Sequence, residues 1–199
     1  MSNNLDRLYD ELQKIQAKIE VYFDSLQEKW QYKIEGGKVK FDRLVKEAHR
    51  RYKIGIFRYI LTAKLVHILS APIIYGMVVP LTFLDLCLNI YQQTCFRLYG
   101  IPLLRRRDYL VVDRHLLGYL NGLEKLNCLY CSYGNGLIAF AREILARTEQ
   151  YWCPIKHAAK IKDPHDRYRL FSDFGDAEHY REQARELREG FKTERIVNK

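Results

Sequence analysis

The chain has 199 residues, enough for one good core or for a smaller soluble domain attached to something else. Its 33 Lys and Arg against 24 Asp and Glu leave a formal charge of +9, which calls for anionic partners: lipid head groups, nucleic acid or an acidic protein. The basic residues crowd the flanks of the most apolar stretch and form no separate basic domain, which favours a membrane and leaves nucleic acid a poor fit.

The opening Met-Ser-Asn-Asn-Leu-Asp-Arg has no basic segment followed by an apolar run. No cleaved signal peptide is expected, and the N-terminal part is expected to stay in the cytoplasm. From Leu5 to about Trp30, Leu5, Leu8, Tyr9, Leu12, Ile15, Ile19, Tyr22, Phe23 and Leu26 recur at steps of three and four, with Asp6, Arg7, Glu11, Lys14, Lys18 and Glu28 on the other positions. This is an amphipathic helix, either packed on its own domain or paired as a short coiled coil that would make a homo-oligomer.

Trp30 to Phe41 then alternates on both sides of Gly36-Gly37, the signal for a small β-hairpin with Trp30, Tyr32, Ile34, Val39 and Phe41 on one face. A break between two helices competes, because Asp42 to Tyr52 resumes helical spacing through Leu44, Val45 and Ala48. Arg43, Lys46, Arg50, Arg51, Lys53 and Arg58 accumulate next, placed to meet anionic head groups.

Leu65 to Leu84 contains no formally charged side chain, about the length one helix needs to cross the hydrocarbon layer. Pro72 and Pro80 interrupt it, and basic residues flank it on both sides, up to Lys64 before and at Arg97 and Arg105-Arg106-Arg107 after. A single crossing would give the positive-inside rule conflicting instructions. A membrane hairpin, roughly residues 54–75 and 79–104, satisfies the rule and is preferred to a single span. Asp85, Asn89, Gln92 and Gln93 suit a second arm half buried in protein or lying at the interface. Asp85 is either a costly intramembrane carboxylate with a function or a head-group residue, and the second reading is favoured. His67 reads as an interfacial residue.

Beyond Arg107, Tyr109 to Val112 is a short strand or a helix start, and Asp113 to Leu126 has leucines at helical steps that Gly118 and Gly122 weaken. The clearest chemical signal follows: Cys128 and Cys131, then Cys153 and His157, the spacing from which four-ligand zinc sites are built. The expected geometry breaks the helix near Gly134-Asn135-Gly136, or uses those glycines for close approach, and sets the helix from Leu137 to Trp152 antiparallel to the first. Cys153 would then cap a further helix entered at Pro154, with His157 one turn along it. An iron-sulfur cluster on the same residues, or a metal-free dithiol of Cys128 and Cys131, is the alternative. Cys87 and Cys95 lie in or beside the apolar stretch and are not ligands.

Glu143 and Glu149 have ordinary surface partners in Arg142, Arg147 and Lys156, and Asp176-Ala-Glu-His179 matches no metal spacing. The tail from Asp176 to about Lys192 reads as an exposed helix. No phosphate loop, Gly-x-Ser-x-Gly or His-Glu-x-x-His occurs, and no catalytic residues are assigned. The sequence thus predicts a mainly α, membrane-anchored protein in three parts: 1–53, a membrane-inserted hairpin or span at 54–104, and a cytoplasmic helical domain at 105–199 holding a Cys3His zinc site. The expected role is a non-catalytic, metal-stabilised interaction or assembly protein with lipids and a membrane protein partner, its termini cytoplasmic. The rival is a redox or electron-transfer subunit. A single-span form with its C-terminal domain outside the cytoplasm would carry a disulfide in place of metal.

Overall fold

The structure, a computed structural model, describes residues 2–35 and 38–197. The chain is mainly helical, as the apolar periodicity predicts, and divides into two units, Met1–Thr62 with Asp113–Leu126 and Ala63–Val112 with Asn127–Lys199.

In the first unit, helix α1 (Ser2–Trp30) ends at Gln31, whose φ of 51° turns the chain into strands β1 (Tyr32–Glu35) and β2 (Lys38–Phe41). The strands pair antiparallel, Tyr32 opposite Phe41 and Ile34 opposite Val39, so the alternating residues share a face as expected. Trp30 is the exception and ends α1. The expected Gly36-Gly37 turn lies outside the described residues. Helix α2 (Arg43–Arg51) follows, so hairpin and helix coexist where the sequence made them competitors. His49 stands edge-on to Phe41 at 5.4 Å and to Tyr119 at 5.3 Å. Helix α3 (Ile56–Leu61) completes the segment.

Of the helix expected over 113–126, only the part from Gly122 onward is formed. A single 3-10 turn spans Arg114–Leu116, and Gly118 passes so close to His49 that a Cβ there would lie 3.0 Å from the histidine's own Cβ. Regular helix starts only at Gly122, where Asn121 and Glu124 cap it reciprocally: the Glu124 N–H donates to Asn121 Oδ1 at 3.0 Å and the Asn121 N–H to Glu124 Oε2 at 2.8 Å.

In the second unit, α4 (Leu65–Gly76) and α5 (Val78–Tyr91) meet at Met77, which keeps a right-handed helical conformation. A π-helical turn (Gln92–Phe96) and α6 (Arg97–Tyr99) continue it, so Leu65–Tyr99 is one helical stretch of 35 residues. This corrects the preferred hairpin: Pro72 and Pro80 each remove a backbone donor, but the surrounding turns stay helical and the chain does not reverse. Reversal comes at Gly100, where φ is 72° and the Ile101 N–H reaches back to the Phe96 carbonyl at 2.8 Å, closing the helix end over the buried pair Phe96 and Ile101. Gln92 then holds the departing chain, accepting from the Leu104 N–H at 2.8 Å. Tyr109 to Val112 forms neither strand nor helix.

Helix α7 (Gly122–Trp152) is continuous through Gly134-Asn135-Gly136, a second correction. Gly136 serves the other purpose considered for it: a Cβ there would sit 2.7 Å from the Tyr109 carbonyl oxygen and 2.9 Å from Leu110 Cα, so glycine lets the returning backbone cross the helix. Leu137, Phe140, Ala141 and Ile144 of α7 pack with Leu88, Phe96 and Ile101 into the core. Helix α8 (Tyr180–Val197) adds Phe191 to that core and buries Ala184, so the tail is a docked helix and not a fully exposed one.

Candidate functional site

The four expected metal ligands do not converge. Cys128 is half-buried and Cys131 exposed on α7, while Cys153 is exposed just beyond its end. On a continuous helix the 22 residues from Cys131 to Cys153 span about 33 Å. After Trp152 the chain is not helical: residue 155 bridges to Ser172 as an isolated parallel pair, and the Lys156 N–H donates to the Ser172 carbonyl at 2.8 Å. His157 therefore stands on an extended segment, stacked 6.2 Å from Tyr168, whose hydroxyl accepts its N–H at 2.6 Å. Among the described residues no group of three or more His, Cys, Asp or Glu side chains is placed to hold a metal ion. Cys128 and Cys131 remain near each other, one helical turn apart.

What the structure does assemble is a helix pair that encloses buried polar groups beside its core and leaves much of the apolar surface of one helix outside. Leu65–Tyr99 has a mean hydropathy of 1.8 over its most apolar window, and by length and composition it can cross a membrane. Only 11% of that window is buried. Leu69, Ile73, Val79 and Phe83 are each at least two-thirds exposed. One face alone is covered, that of Leu81, Asp85, Leu88, Gln92 and Phe96 at steps of three and four, and it meets α7. The contacts advance together along both helices, Tyr75 on Tyr130, Leu81 on Gly134, Tyr91 on Thr148, Tyr99 on Tyr151, so the two run in the same direction.

Polar side chains bind the pair from within. The buried Asp85 forms an ion pair with Arg106, accepts from the Tyr133 hydroxyl at 3.0 Å and from Asn89 Nδ2 at 2.8 Å. Burial pushes the Tyr133 hydroxyl above its usual pKa, which keeps it a donor. Tyr75 donates to Asn127. A buried carboxylate without these partners would be costly, and with them it holds the helix in one rotational setting. Asp85 thus serves as an internal lock, a role the sequence did not suggest because Arg106 is twenty-one positions away.

A second network lies at the other end of α7. Arg167, in a 3-10 turn (Asp166–Leu170), forks onto Glu194 of α8 at 3.0 and 3.1 Å and also donates to Glu143 at 2.9 Å and Gln150 at 2.7 Å. Arg147 donates to Glu143 at 2.9 Å and to the Pro102 carbonyl at 2.9 Å. Burial works against the charge on Arg167, but the hydrogen bonds to Glu194 and Glu143 outweigh it and its pKa lies above the ordinary value. Glu149 pairs with His165 at 2.9 Å. The expected pairing of Glu143 with Arg147 is present but lies largely buried, and with Arg167, Glu194 and Gln150 it fastens α7, the 3-10 turn and α8 together.

Comparison of the chain with protein-family models, with curated proteins and with solved structures finds no match.

Proposed function

We propose that this protein is a membrane-anchored, non-catalytic interaction or assembly protein, held in the bilayer by the bare faces of Leu65–Tyr99. The observation that carries this reading is the 11% burial of so apolar a helix. The core helix of a soluble domain has its apolar surface covered by its own chain, whereas each fully exposed Leu, Ile or Phe forgoes about 1.5–3 kcal/mol. Lipid recovers that energy. The inward-facing polar pairs are one means by which helices associate where no hydrophobic force acts between them.

The helix does not turn back, yet Lys64 precedes it and Arg97 and Arg105-Arg106-Arg107 follow it. Insertion from one side, with both basic clusters among the head groups of the same leaflet, satisfies the positive-inside rule where a crossing does not. Anchoring on a membrane with two charged networks spent on internal fastening leaves binding of another protein as the role that fits. The reading is tested by fractionating cells that express the full chain and washing the membranes at high pH. Retention in the washed pellet is expected. Recovery of folded protein in the supernatant of an unwashed spin would refute it.

A further inference from the structure

Helix α1 carries an apolar stripe that is exposed at Ile15, Ile19 and Tyr22. Leu5, Leu8, Leu12, Ile15, Ile19, Tyr22 and Leu26 alternate steps of three and four without a slip, which is a heptad with Leu5, Leu12, Ile19 and Leu26 at a and Leu8, Ile15 and Tyr22 at d. Among the stripe residues whose side chains are described, Ile15 is 57%, Ile19 49% and Tyr22 61% exposed, and Leu26 is half-buried. A seam so regular is built for another helix.

Charge and core residues choose the partner. Glu11 and Lys18 fall on successive g positions, and both are exposed. In a parallel pair g meets e, which here puts Glu11 beside Gln16 and Lys18 beside Phe23, with no charge matched. The seam, with Leu at three of four a positions and Leu, Ile and Tyr at d, is also not the β-branched-a, Leu-d pattern of a parallel two-stranded coil. In an antiparallel pair g meets g, and two copies of this helix place Glu11 of each against Lys18 of the other. The same register sets Leu12 opposite Ile15, Leu8 opposite Ile19 and Leu5 opposite Tyr22, each layer occurring twice by symmetry. We infer that α1 is the dimerisation element of this protein and that it pairs antiparallel with α1 of a second copy, an isologous interface centred between Leu12 and Ile15.

This inference does not depend on membrane anchoring, and its test uses charge swaps on solvent positions that leave the fold intact. Full-length wild-type, Glu11→Lys, Lys18→Glu and the double variant, each purified in mild detergent, are compared by light scattering over a dilution series at low salt. Each single swap turns two attractive contacts per dimer into two repulsive ones and weakens dimerisation about tenfold. The double variant restores it, and mixing differently tagged Glu11→Lys and Lys18→Glu chains gives a heterodimer in preference to either homodimer. A monomeric wild-type protein, single swaps without effect, or single swaps that neither the double variant nor mixing rescues would each overturn the inference.

Discussion

Two long helices of the second unit run side by side and are handled in opposite ways. Leu65–Tyr99 is apolar and mostly uncovered, while α7, from Asn127 onward, carries Glu143, Arg147 and Gln150 and buries two of those three. Burial here follows neighbours and not hydropathy. The apolar helix has one partner face and a surplus of apolar surface, whereas the polar helix is met by Arg167, the Pro102 carbonyl and α8, which satisfy its charges. The contrast is what the proposed bilayer anchoring rests on: the apolar helix leaves bare a surface that needs no hydrogen bonds.

The sharpest way to break the contrast is a charge on the bare face. Ile73→Arg costs about 3 kcal/mol of insertion and is expected to move the protein from the washed membrane pellet to the soluble fraction. The same substitution on a surface already in water would leave the distribution unchanged, and that result would count against the bilayer.

On the other helix the largest effect comes from removing the fork. Arg167→Ala leaves Glu143 with Arg147 and takes the fork from the half-buried Glu194, lowering stability by about 1–3 kcal/mol, read from urea unfolding in detergent. Arg167→Lys recovers only part of this, because an ammonium cannot make two parallel bonds to Glu194. Equal recovery by lysine would show that charge alone matters there.

Two of the glycines of α7, Gly134 and Gly136, give a finer comparison. Gly136→Ala forces its Cβ against the Tyr109 and Leu110 backbone and is expected to cost about 1–2 kcal/mol after the gain in helix propensity. Gly134→Ala would meet only Leu81 Cδ1 at 3.5 Å, an ordinary contact, and is expected to be neutral or stabilising by up to about 1 kcal/mol. Thermal unfolding of the pair decides whether α7 is crossed by backbone at 136 alone.

The smallest effect lies before α8. The His179 N–H donates to Asp176 Oδ1 at 3.1 Å and holds that carboxyl below the usual aspartate range. The carboxylate contributes stability above its unfolded pKa, near pH 4, and loses it as pH falls through the lowered folded value. Asp176→Asn should therefore lower stability slightly at neutral pH, change it little below the lowered folded value, and so flatten the acid side of the curve.

Much of this was legible in the residues themselves. Step-of-three-and-four patterns located α1 and α2, and alternation located the hairpin, because backbone period is imposed locally; the uncharged run from Leu65 to Leu84 located the apolar helix. The docked α8 was missed for want of a pattern: Ala184 and Phe191, two turns apart, are too sparse a stripe to recognise before one knows that Gln150 and Arg167 wait beneath it. The cysteine spacing was legible too, but spacing supplies ligands only if the chain folds back between them. Gly134 and Gly136 gave the expectation of a fold-back, and in the structure they admit neighbours to an unbroken helix.

The amino-acid sequence by itself determined the helical class, the length and bareness of the apolar run, the basic flanks and the heptad of α1, all properties set within a few turns of chain. Only the tertiary structure decided that the apolar helix runs straight through its prolines, that Asp85 is locked by Arg106 and Tyr133, and that α7 keeps Cys131 far from Cys153. Each of those depends on which distant residue is brought alongside, and a pairing across twenty to fifty positions leaves no periodic trace in a single chain.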